Sequence, residues 1–128
     1  MNMPTIKEII ALLEAWAPSA TAEEFDNVGL LVGDSNRKCT GALITLDTLE
    51  TVVDEAITKK CNLIISFHPI IFKGLKKITG NSYVERVLIK AIEHKIAIYA
   101  IHTALDNVFE GSNARSNLYK SLFSNLFK

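Results

Sequence analysis

The chain has little of what marks many specialised proteins. Two cysteines, Cys39 and Cys61, stand alone without C-x-x-C spacing. That excludes a disulfide framework and a cysteine-based zinc module, and it reads as two reduced thiols packed in a cytoplasmic protein. No apolar signal segment precedes the domain, and no run approaches the roughly 20 apolar residues needed to span a bilayer. Charge of either sign is not in excess either: 14 basic residues balance 14 acidic ones. A neutral chain generates no field to draw in nucleic acid or an anionic membrane. Glycines at 29 and 33 match neither a P-loop nor G-x-G-x-x-G, and no G-x-S-x-G elbow occurs, so standard nucleotide cradles and α/β-hydrolase nucleophiles are absent.

What is present is apolar: 128 residues with 48% hydrophobic content suffice for the core of one domain, 1–128. Thr5 with Glu8 forms a capping-box pattern ahead of Ile6, Ile9, Ile10, Leu13 and Ala17, which recur on one helical face until Pro18. Short β-branched runs at 28–32, 41–46, 62–66 and 97–101 read as strands. The link between the first two is too short for a helical crossover, so they should run antiparallel if they pair directly. Helical faces lie between the later strands: Leu49, Val52, Val53, Ala56 and Ile57, then Val84, Val87, Leu88, Ala91 and Ile92 after Ser82 and Glu85. A last helix carries Leu118, Leu122 and Leu126. The order α-β-β-α-β-α-β-α predicts a three-layer α/β fold, with a mixed, mostly parallel four-stranded sheet and helices on both faces. The strands at 41–46, 62–66 and 97–101 should be parallel, and the 28–32 strand antiparallel.

Such a sheet brings the C-terminal ends of its parallel strands to one edge, where open α/β proteins place their chemistry. Here that edge carries Asp47, His68 and the group His102 with Asp106. Imidazole and carboxylate are ligands for Zn, Mn, Fe, Ni or Mg. Taken singly, each has an ordinary role: His68 as a loop residue beside Pro69, Asp106 in an Asx turn with Asn107. Together, on adjacent strand ends, His68, His102 and Asp106 point to a metal or catalytic site. Asp47 precedes a helix, which it or Thr48 is expected to cap, with Glu50 where a capping box would want it. His94, in a last helical turn, is expected to be a solvated helix-end residue. Lys73, Lys76 and Lys77 around Gly74 form a solvated basic loop that could hold a phosphate.

Three separated stretches then carry a resemblance to a known family. Phe25-Asp26-Asn27-Val28-Gly29-Leu30-Leu31-Val32-Gly33-Asp34, Leu63-Ile64-Ile65-Ser66-Phe67-His68-Pro69-Ile70-Ile71-Phe72-Lys73, and Tyr99-Ala100-Ile101-His102-Thr103-Ala104-Leu105-Asp106 resemble, in that order, the NIF-three-like proteins, also called type 2 homologues of GTP cyclohydrolase I. The resemblance implies an α/β fold of two similar halves, of which this chain is the N-terminal one. It also implies a dinuclear divalent-metal site, a toroidal homohexamer, and metal-dependent hydrolase chemistry on a small phosphorylated or nucleotide substrate. His68 matches the second His of the family's His-His-Pro motif, Asp106 its bridging carboxylate, and His102 the His near that carboxylate, as a reacting or supporting group. Phe67 departs from the pattern, standing where the family has the first His. The family's later His and Glu ligands have no counterpart here. A phenyl ring has no lone pair to donate, and His68 with Asp106 gives fewer than the three protein ligands a divalent ion normally takes. The expectation is a weak or single metal site. The alternative is a non-catalytic oligomeric scaffold, with Phe67 and an exposed Ile70-Ile71-Phe72 run as its apolar contact.

Overall fold

A computed structural model describes residues 3–17 and 27–101. Seven elements follow in order: α1 (Ile6–Trp16), β1 (Gly29–Val32), β2 (Ala42–Thr45), α2 (Glu50–Thr58), β3 (Leu63–Ser66), α3 (Tyr83–Glu93) and β4 (Ala97–Ala100). The expected helix near the C-terminus lies outside the described residues, as do His102 and Asp106.

α1 starts where its capping box predicts. The Thr5 hydroxyl accepts from the Glu8 N–H at 3.1 Å, and the Glu8 carboxylate accepts from the Thr5 N–H at 3.2 Å. Two otherwise orphaned donors are thereby satisfied. α3 is opened by the N-cap half of that pattern alone, with Ser82 Oγ accepting from the Glu85 N–H at 3.3 Å, while the Glu85 carboxylate accepts from the Thr79 N–H.

The sheet order is β1-β4-β3-β2. β2, β3 and β4 are parallel neighbours, with Ala42 opposite Leu63 and Leu63 opposite Ala97. β1 runs antiparallel to β4, so the sheet is mixed, with two parallel pairings and one antiparallel. β1 and β2 do not pair with each other. The chain between them passes the N-terminal end of α1, where the Ile6 N–H donates to Arg37 O and the Cys39 N–H to Pro4 O. It thus carries β1 to one edge of the sheet and β2 to the other.

Strand alternation sorts the central residues into two cores. Leu63, Ile65, Ala97, Tyr99 and Ile101 pack with Ile6, Leu13 and Ala17 on the α1 face. Ile64 and Ile98 pack with Val53, Ala56, Val87, Leu88 and Ala91 beneath α2 and α3. The three layers are therefore α1, the sheet, and the α2/α3 pair. β3 and β4 are buried throughout, as strands covered on both faces should be. Gly33 is fixed by close approach: its φ is +106°, and a Cβ there would lie 2.7 Å from the Ala97 Cα.

Candidate functional site

The C-terminal ends of β2 and β3 meet at a small hydrogen-bonded knot. Ser66, the last residue of β3, is wholly buried, and its hydroxyl lies 3.2 Å from Leu46 O and 2.6 Å from His68 O. The His68 N–H donates to Leu46 O at 2.8 Å, and Thr45 Oγ1 donates to Asp47 O at 2.7 Å. These bonds fix the two loops against each other. The fixed loops bring His68 Nδ1 to 2.6 Å from Asp47 Oδ1.

Asp47 is therefore not the helix cap its position suggested. The cap of α2 is Leu49, which has no side chain able to accept, and Glu50 pairs with Arg86 at 2.9 Å instead of closing a capping box. The reason lies across the sheet: the parallel pairing of β2 with β3 places an imidazole beside the Asp47 carboxylate. The contact spans 21 residues and involves side chains that are 47% exposed on His68 and 58% on Asp47. Thr48 next to it is 2% exposed, and its hydroxyl has no partner among the described residues.

Phe67 follows the opposite course. Its ring packs against the α1-side core and meets the His68 ring edge-on, with centroids 4.9 Å apart at 66°. Beyond the rim, Ile70 is buried and Ile71 packs partly into the α2/α3-side core, leaving only Phe72 largely exposed. The apolar contact run expected at 70–72 is thus mostly interior. Lys73, Lys76 and Lys77 are exposed. His94 is the C-cap of α3, its Nδ1 2.9 Å from Lys90 O. Asn27, which sequence reasoning left without a role of its own, ties the first motif to the second by donating to Ile71 O at 2.6 Å.

As a metal centre, the described part is right in kind and short in number. Asp47 occupies Nδ1, so any lone pair His68 offers an ion comes from Nε2, an arrangement common around metal-bound imidazoles. No group of three or more His, Cys, Asp or Glu side chains converges among the described residues. The two thiols do not help. Cys39 is buried, and burial pushes its thiol above the usual range.

A sequence profile of the Duf34/NIF3 (NGG1p interacting factor 3) family matches residues 4–120. The chain belongs to the Duf34/NIF3 family. Among its relatives, a Clostridium acetobutylicum protein called GTP cyclohydrolase 1 type 2 homolog is 43% identical over 108 residues, 84% of this chain and 40% of that protein. The Bacillus subtilis protein of the same name is 44% identical over 107 residues, again 84% of this chain but 29% of the relative. The chain thus spans well under half the length of these relatives. Among solved structures, a Staphylococcus aureus hypothetical protein superposes with a TM-score of 0.79 at 45% identity, covering 83% of this chain and 30% of that one. The Duf34/NIF3 fold is therefore the one described above, and no described helix is long and apolar enough to cross a membrane.

Proposed function

We propose that this chain is a divalent-metal-binding, hydrolase-like member of its family in which His68 is one ligand of an incomplete centre. The observation that carries the reading is the 2.6 Å pairing of Asp47 Oδ1 with His68 Nδ1 at adjacent strand ends. A carboxylate in that position sets the tautomer and steadies the ring, leaving Nε2 as the nitrogen through which an ion would be held. Asp106 is proposed as the second ligand and His102 as a reacting or supporting group, from their match to the family motif. A bound divalent ion would supply positive charge for activating water and stabilising a developing oxyanion. Zn, Mn, Fe, Ni and Mg all suit this donor set.

Phe67 leaves the centre short of the imidazole its family motif would place there. Metal titration by calorimetry tests both statements. The unaltered chain should bind one divalent ion weakly, His68→Ala should abolish that binding, and Phe67→His should tighten it. Two tightly held ions on the unaltered chain, or binding indifferent to His68→Ala, would contradict the proposal. The scaffold reading draws on one observation, the packing of Phe67 into the α1-side core. It gains if Phe67→His destabilises the fold without improving metal affinity.

A further inference from the structure

Two hydroxyls stand side by side where β2 and β3 end. Thr45 and Ser66 are register partners in the parallel pairing of these strands. Each donates to the backbone oxygen of the residue two positions on: Thr45 Oγ1 to Asp47 O at 2.7 Å, Ser66 Oγ to His68 O at 2.6 Å. The same order of residues is written twice, as Thr45-Leu46-Asp47 and Ser66-Phe67-His68. Such local side-chain bonds give a chain leaving a strand one defined path instead of several. β4 marks the limit of the pattern, because its residue opposite Ser66 is Ala100, which has no hydroxyl. Among these three parallel strands, the device is confined to the two whose loops carry Asp47 and His68.

Ser66 also breaks the composition of its strand. It is the one polar residue of β3, wholly buried in line with Leu63, Ile64 and Ile65. A buried hydroxyl is tolerated when it is bonded, and this one lies within reach of Leu46 O as well as His68 O. The His68 N–H donates to Leu46 O, so both backbone polar groups of His68 are held. Holding them fixes the direction of the Cα–Cβ bond and leaves only the side-chain torsions to settle the ring. Asp47 Oδ1 at Nδ1 and the edge-on contact with Phe67 settle those.

We infer that Thr45 and Ser66 are paired positioning residues. Their hydroxyls set the two loops so that the Asp47 carboxylate meets His68 Nδ1 and Nε2 is the nitrogen that would hold an ion. Each acts through the residue two places on. The inference rests on the metal-centre reading above for its zinc arm alone.

Nitrogen NMR of the His68 ring in the metal-free chain, at alkaline pH where imidazole is neutral, reads the tautomer. The unaltered chain should carry the proton on Nδ1. Thr45→Val and Ser66→Ala each remove one hydroxyl and should give a mixture of the two tautomers, whereas Thr45→Ser keeps the hydroxyl and should keep the Nδ1–H form. Zinc affinity should fall about 3- to 10-fold in each variant that lacks a hydroxyl, the size of one lost neutral hydrogen bond, and should hold in Thr45→Ser. Thr45→Val leaves a β-branched side chain at a half-buried strand position, so it decides the matter even where Ser66→Ala does not fold. A folded Thr45→Val or Ser66→Ala chain whose His68 ring keeps the Nδ1–H form and its zinc affinity would overturn the inference. A ring that changes tautomer in these variants but ignores zinc in the unaltered chain would sustain the inference and contradict the metal-centre reading.

Discussion

At the scale of single residues, the site turns on where two side chains end up. The place of His68 just past a strand end was legible because an apolar β-branched run stops abruptly at Ser66, Phe67, His68 and Pro69. The role of Asp47 was not. An Asp three residues ahead of a helix has a local explanation as a cap, and the competing partner lies 21 residues away across a strand pairing. Only the parallel register of β2 on β3 makes that contact. His102 and Asp106, which the sequence also marks, fall outside the described residues. Thr48 gives a separate test. A buried hydroxyl with no partner forfeits its hydration, at a cost of about 1–3 kcal/mol. Thr48→Val should therefore raise the thermal midpoint, with a gain of about 1 kcal/mol; a drop would mean the hydroxyl is satisfied.

Helix starts were the most legible feature at the scale of elements, because a capping box is a local pattern. Thr5/Glu8 and Ser82/Glu85 both act as their spacing suggests. Strand positions were less legible. The antiparallel direction of β1 was expected from the short link to β2 on the supposition that the two pair, whereas its place beside β4 depends on the path of residues 33–41 past the N-terminal end of α1, which no periodicity encodes. α3 carries an acid-sensitive start. The Thr79 N–H, the Ser82 hydroxyl and the Thr79 hydroxyl hold Glu85 below the usual carboxylate range. A group with a lowered folded pKa stabilises above its unfolded value, and that contribution is lost as pH falls through the folded one. The urea midpoint of the unaltered chain should therefore decline on acidification through and below the carboxylate range, and Glu85→Gln should flatten that decline. Ser82→Ala should cost about 1 kcal/mol at neutral pH, read from the same urea curves. The cross-helix pairs Arg86–Glu50 and Lys90–Asp54 are exposed, so they contribute little individually.

For the whole molecule, the layer order follows from how β3 and β4 divide their side chains. Leu63 and Ile65 go to one core and Ile64 to the other, and the continuous apolar runs that the sequence displays are what a doubly covered sheet requires. The same arrangement exposes one strand end per loop at the C-terminal edge, where Asp47 meets His68. The chain spans 40% and 29% of two curated relatives. What this chain contributes is an imidazole whose Nδ1 is already taken by a carboxylate. Nitrogen NMR of the His68 ring during a zinc titration measures that directly. Nδ1 should stay protonated while Nε2 shifts on metal addition, and Asp47→Ala should weaken the zinc response about 10–100-fold. Coordination through Nδ1, or a His68 ring that zinc leaves unchanged, would contradict it.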